Sequence, residues 1–159
     1  MIVRAYTPED CHAMAQLFYE TIHSINAADY TTAQLDAWAT GSVDYDRWRR
    51  EFLEHDTRVA IDNEIIVGFG NMDATGYLDK LFVHRQYQRQ GIASAICDVL
   101  EHNAAMRKLV LLSTHASITA RPFFERRGYY VVKAQQVTRR NQQLCNFVMQ
   151  KALALPDKR

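Results

Sequence analysis

The sequence predicts one α+β (mixed α/β) domain spanning residues 1–159, with a central mixed, mostly antiparallel sheet flanked by helices. Three observations predict it. The first third carries apolar residues at helical spacing, as at Met14, Leu17, Phe18, Ile22 and Ile25. From Thr57 the period becomes strand-like. A strand, a polar loop, a helix and another strand then follow between Tyr77 and Thr114, the outline of a crossover unit.

Ile2 to Tyr6 reads as a first strand. Thr7-Pro8-Glu9-Asp10 starts a helix: Thr7 can cap, Pro8 suits the first helical position, and the acids face the positive end of the helix dipole. A second helix starts near Thr31 or Thr32 and reaches Trp38, and Gly41-Ser42 break it. Asp44 opens a third, with Tyr45, Trp48, Phe52 and Leu53. Arg58–Ile61 and Glu64–Asp73 read as strands around an Asp62-Asn63 hairpin, and Tyr77–Val83 as another. The loop His84–Gly91 leads into a helix with Ile92, Ala95, Ile96, Val99 and Leu100 on its apolar face. Leu109–Leu112 is a buried-type strand. Thr119–Arg127 suits a short helix ending at Gly128, and Tyr129–Val137 and Leu144–Leu153 close the chain as paired strands.

Composition narrows the function. A net charge of +1 gives no argument for nucleic acid or a membrane surface as a partner. Cys11, Cys97 and Cys145 are odd in number and far apart, so they suggest reduced thiols and neither a disulfide framework nor a zinc site. No metal is expected. No apolar run approaches the roughly 20 residues of a membrane span, and the first residues lack the shape of a signal peptide, so a cytoplasmic protein is expected.

The segment Gln88-Arg89-Gln90-Gly91-Ile92-Ala93-Ser94 carries the chemistry. It opens a helix, where four backbone N–H groups lack helical partners and the dipole adds positive charge, a natural seat for a diphosphate. Gly91 lets the backbone approach phosphate oxygens, and Ala93 keeps the next turn open. The segment is not a Walker loop, since no Gly-Lys-Ser/Thr follows, and it lacks the other glycines of the dinucleotide fingerprint.

Leu81-Phe82-Val83, then Gln88-x-x-Gly91-x-Ala93, then Ser117-x-x-Ala120-x-x-Phe123-Phe124-x-x-x-Gly128-Tyr129 resemble, in order, the two central motifs of the GNAT (GCN5-related) N-acetyltransferase superfamily. With the helical N-terminal region the resemblance covers nearly the whole chain. It implies a sheet whose two parallel central strands, Tyr77–Val83 and Lys108–Thr114, splay apart, with the pantetheine arm of acetyl-CoA in the gap. Leu81, Phe82 and Val83 would then pair with pantetheine, and Gln88 to Ser94 would hold the pyrophosphate. Ser117 stands where the family often has Asn and would bond the cofactor through its hydroxyl. Phe123 and Phe124 would pack near the thioester. The implied reaction is direct attack of an amine on the acetyl carbonyl, polarised by a backbone N–H near Phe82 or Val83. An acyl-CoA-binding module without catalysis is the alternative.

One departure concerns catalysis. The usual general acid of the family is a Tyr at the position of Phe124, and a phenyl ring cannot donate a proton. Tyr129 and Tyr130 lie nearby in sequence. For a base, strand alternation places Tyr77, Asp79, Leu81 and Val83 on one face, which directs Asp79 toward the reacting centre. His115 is the second candidate, with its unperturbed pKa of about 6.5. Structural roles remain open for both, as a cross-strand ion pair and an ordinary loop histidine. Tyr30 and Trp38 are the candidates for the acceptor pocket, which the first helices usually wall. The acceptor amine is not specified by the sequence, and a homodimer is left open.

Overall fold

The computed structural model describes residues 1–154. Its elements are β1 (Ile2–Ala5), α1 (Cys11–Ser24), α2 (Thr32–Trp38), α3 (Tyr45–Glu54), β2 (Asp56–Asp62), β3 (Ile65–Met72), β4 (Tyr77–Val83), α4 (Ile92–Met106), β5 (Leu111–Ser117), α5 (Arg121–Arg126), β6 (Tyr130–Arg139) and β7 (Gln142–Ala152). The strands form a seven-stranded sheet in the order β1-β2-β3-β4-β5-β7-β6. Every neighbouring pair is antiparallel except β4 and β5, which α4 connects as a crossover.

Local sequence explains the boundaries. Pro8–Asp10 form a single 3-10 turn before α1, and the Asp10 carboxylate accepts from the backbone N–H of Thr7 at 2.8 Å. Thr31 and Gln34 cap α2 reciprocally: the Thr31 hydroxyl accepts from Gln34 N–H at 3.2 Å, and Gln34 Oε1 accepts from Thr31 N–H at 2.8 Å. The Asp44 carboxylate accepts from Arg47 N–H at 3.1 Å to start α3. The β2–β3 and β6–β7 hairpins turn through left-handed pairs, Asn63-Glu64 and Arg140-Asn141, whose twist matches the flanking strands. The first hairpin thus turns one residue later than Asp62-Asn63.

The sheet carries a core on each face. α1, α2 and α3 pack on one, with Met14, Phe18, Ile22, Trp48 and Phe52 against Val59 and Phe69. α4 and α5 cover the other, with Ile92, Ile96, Leu100 and Phe124 against Val67, Leu78 and Leu112. α4 lies close to β3 because Gly68 has no side chain. A Cβ there would stand 2.8 Å from Ile92 Cγ2, too near for any carbon.

Two features differ from the pattern in the sequence. β5 begins at Leu111, not Lys108 or Leu109, because Lys108 takes a left-handed turn (φ +65°) that ends α4, and Leu109 donates back to Ala104. In β4 the alternation slips. Register with β3 shifts between Asn71 and Met72, which pair with Lys80 and Leu78, so Asp79 is an extra bulged residue. Leu78, Leu81 and Val83 consequently belong to the α4 face, while Phe82 packs on the α1–α3 face. Asp79 therefore does not share a simple alternating face with Leu81 and Val83.

Candidate active site

β4 and β5 pair only at Tyr77–Ser113 and Leu78–Thr114 and then separate. The wedge between them opens into a cleft of about 1860 Å³ that runs from the start of α4 to the ends of α1, α2 and α3. All the residues singled out in the sequence line this cleft except Gln90: Asp79, His115, Leu81, Phe82, Val83, Gln88, Arg89, Gly91, Ile92, Ala93, Ser94, Ser117, Phe123, Phe124, Tyr30 and Trp38.

At one end stands the first turn of α4. Gly91 occupies its N-cap in the left-handed region (φ +80°), with Arg89 also left-handed (φ +60°), and no side chain caps the helix. The first intrahelical bond runs from Ala95 N–H to Gly91 C=O, so the N–H groups of Ile92, Ala93 and Ser94 point outward. An added Cβ at Gly91 would meet nothing within 4 Å, so its backbone borders open cleft. Three aligned donors and a helix dipole without a capping carboxylate form an anion seat. Among the described residues no cluster of His, Cys, Asp and Glu could hold a metal ion, and no helix is long and apolar enough to cross a membrane.

Mid-cleft, the backbone of β4 is available on one side. His84 N–H donates to Val67 C=O at 2.8 Å, so by antiparallel alternation His84 and Phe82 face β3, while Leu81 and Val83 face the gap. Of the two positions expected for a donor, Phe82 and Val83, the Phe82 N–H is turned toward Phe69, and the gap-facing N–H groups are those of Leu81 and Val83. The Val83 carbonyl is already engaged, accepting from the Thr21 hydroxyl at 2.9 Å and from Gln88 Nε2 at 2.8 Å.

Across the gap the Ser117 oxygen accepts from Ala120 N–H at 3.0 Å and from Asn26 Nδ2 at 3.4 Å, which leaves its own proton free to donate. Phe124 is buried in the α4-side core, with its ring centroid 5.1 Å from Tyr129. Tyr129 is no substitute acid. It is buried, its hydroxyl has no partner, and burial drives its pKa far above the ordinary phenol value. Tyr130 is exposed and bonds Gln150 at 3.3 Å.

At the other end, Asp79 pairs with Lys80 at 2.9 Å, and the Lys80 ammonium sits 5.1 Å from the Trp48 ring centroid. The rings of Tyr77 and His115 meet edge to face at 5.2 Å. Burial, with help from Asp79, pushes Tyr77 up to about 12, while Arg139 opposes. Tyr77 is thus a neutral phenol at physiological pH. Burial and the charge of Lys133 lower the pKa of His115, and Asp79 partly offsets them. Tyr30 offers the cleft only ring surface: its hydroxyl donates to Cys145 C=O at 2.7 Å and accepts from Ile118 N–H at 2.9 Å. Trp38 stands against it edge to face at 5.5 Å.

A family model, the Acetyltransferase (GNAT) domain, matches residues 26–153. The chain belongs to the GNAT acetyltransferase family. That membership carries acyl transfer from acetyl-CoA as the general activity. The chain is 35% identical over 147 residues to the uncharacterized N-acetyltransferase YafP of Escherichia coli K12, covering 92% of this chain and 93% of that one. A GCN5-related N-acetyltransferase structure from Rhodopseudomonas palustris superposes with a TM-score of 0.91 at 30% identity, over 96% of this chain and 95% of that one. The PaiA N-acetyltransferase of Thermoplasma acidophilum, solved with coenzyme A, has a TM-score of 0.79 over 96% of this chain and 98% of that one. At 14% identity it speaks for the fold alone.

Several cleft residues went unnoticed in the sequence. Thr21 left a trace there, as a hydroxyl among apolar positions on the buried side of α1. His55 left none, since it owes its place to how α3 meets the sheet.

Proposed function

We propose that this protein transfers the acetyl group of acetyl-CoA to a primary amine by direct attack. The observation that carries the reading is the uncapped α4 N-terminus opening onto the wedge between β4 and β5. The diphosphate fits against the N–H groups of Ile92, Ala93 and Ser94, and pantetheine lies along the gap-facing backbone of Leu81 and Val83 as an added strand. The PaiA structure's coenzyme A supports the same use of this fold.

In the mechanism, the amine enters from the Asp79–His115 end and attacks the thioester carbon. The developing oxyanion takes a hydrogen bond from the Leu81 or Val83 N–H. Asp79 accepts the amine's proton, directly or through water, with Lys80 beside it. The carbon–sulfur bond then breaks and releases CoA thiolate. Ser117 holds a hydroxyl proton it can donate toward bound CoA. Phe124 supplies only apolar surface, so departure of sulfur does not use the tyrosine acid common in the family.

The buried Phe124 favours a second reading, an acyl-CoA-binding module without turnover. Thiol release from acetyl-CoA against a panel of primary amines separates the two. Steady turnover with an acetylated product supports the enzyme. Tight acetyl-CoA binding with no release above the amine-free rate would reject it.

A further inference from the structure

Asn71, in β3 behind the acceptor end of the cleft, is fully buried. Its amide therefore needs protein partners at both ends. Its oxygen accepts from the backbone N–H of Lys80 at 3.0 Å. This N–H follows the bulged Asp79, where the register with β3 shifts. The amide nitrogen lies 2.9 Å from Nδ1 of His55. The contact with Lys80 fixes which end is which, because a backbone N–H can only donate. Nitrogen then faces His55, and an amide nitrogen has only hydrogens to give. Nδ1 of His55 is consequently a bare lone pair, and the ring's proton sits on Nε2, at the edge away from Asn71.

His55 follows α3, donates its own N–H to Glu51 C=O at 2.9 Å and lines the cleft with Asp73, Tyr77 and Lys80. Asp73 accepts from the N–H groups of Thr75 and Tyr77 through Oδ1, and its charge is felt at His55. Among the described residues Nε2 of His55 makes no hydrogen bond, so its N–H is available to a bound molecule.

We propose that Asn71 is a positioning residue with two effects: it stabilises the β4 bulge and it locks His55 as an N–H donor at the acceptor end. The amine substrate then carries a hydrogen-bond acceptor, a carbonyl or carboxylate oxygen, that His55 reads, and His55 is not the base. Only the statement about the amine rests on the acetyl-transfer reading.

Asn71→Asp separates the two effects. It keeps an oxygen for Lys80 and replaces the donor to His55 by an acceptor, so Nδ1 of His55 becomes protonated. Asn71→Leu removes both partners. Nitrogen NMR of protein labelled at histidine reads the ring directly. Wild type is expected to show His55 protonated at Nε2 alone, and Asn71→Asp to show a proton on Nδ1 with CoA affinity within about twofold of wild type. With CoA bound, the Nε2–H signal is expected to move on addition of glycinamide and to stay still with propylamine, which lacks the oxygen. A proton on Nδ1 in wild type, an unchanged ring in Asn71→Asp, or equal responses to the two amines overturns the proposal. Absence of CoA binding by wild type would count against the acetyl-transfer reading instead, because the tautomer is read without any ligand.

Discussion

Gln88 Nε2 donates to the Val83 carbonyl at 2.8 Å and thereby ties the loop before α4 to the last residue of β4. Thr21 in α1 donates to the same oxygen at 2.9 Å. One carbonyl therefore joins the proposed diphosphate seat, the proposed pantetheine strand and the helix that walls the cleft. Loss of either donor leaves the other. Gln88→Ala and Thr21→Val should each cost about 1 kcal/mol, with about fivefold weaker acetyl-CoA binding for Gln88→Ala. The double variant leaves a part-buried carbonyl without a protein partner and should cost more than the sum of the two. A double-mutant cycle read by calorimetry and urea unfolding checks this, and simple additivity would argue against a shared anchor.

Gly91 is needed for its backbone angle, not for want of space. Its φ of +80° is costly for most residues, and an added Cβ has nothing within 4 Å. Gly91→Ala should therefore weaken acetyl-CoA binding by strain of about 1–2 kcal/mol, and Gly91→Asn by less, since Asn tolerates the left-handed region. Gly91→Glu should abolish binding, because it adds a negative charge beside the proposed diphosphate. Calorimetric titration ranks the three, and equal losses for Asn and Glu would contradict the electrostatic part.

Asp79→Asn tests the base. The rate of acetyl transfer should fall by at least about tenfold, with acetyl-CoA affinity little changed. An unaltered rate removes Asp79 from that role and turns attention to His115.

Stability against acid has a separate source. Asp10 is buried and forms a two-pronged pair with Arg4, both contacts at 2.8 Å. Burial alone would raise its pKa, but the bonds from Arg4 and Thr7 and the charge of Arg4 outweigh it, and the net shift is downward. A depressed carboxyl stabilises the fold above its unfolded pKa and loses that contribution as pH falls through the folded value. Arg4→Met should cost about 1 kcal/mol near pH 7, a modest figure because Arg4 is part-exposed and screened. The gap to wild type should narrow below about pH 4, near and under the unfolded carboxyl value. Urea unfolding at pH 7 and pH 3 measures both, and a constant gap would exclude the linkage.

The frame of this molecule was legible in its sequence because the signals were local. Thr31 or Thr32 marked the start of α2, and Gly91 marked the start of α4. The motif pair around Gln88 and Phe124 pointed to the cleft before any contact was known. What escaped notice depends on pairing between distant segments. The bulge at Asp79 exists because β3 and β4 pair out of step, and it moves Leu81 and Val83 to the opposite face from simple alternation. Pairing with Phe69 turns the Phe82 N–H away from the gap. Tyr30 read as a substrate contact, yet its hydroxyl ties Cys145 of β7 to Ile118 after β5, a use that only the folded chain reveals. Asn71 sits in a strand as one polar residue among apolar ones, and its partners lie 9 and 16 residues away.

The central claim is that the first turn of α4 grips the diphosphate of coenzyme A. Backbone amide NMR of the protein titrated with CoA measures it most directly. The largest shifts should fall on the N–H groups of Gly91, Ile92, Ala93 and Ser94, with smaller ones at Leu81 and Val83, and all should vanish in Gly91→Glu. Saturable CoA binding that leaves those amides unmoved would contradict the account.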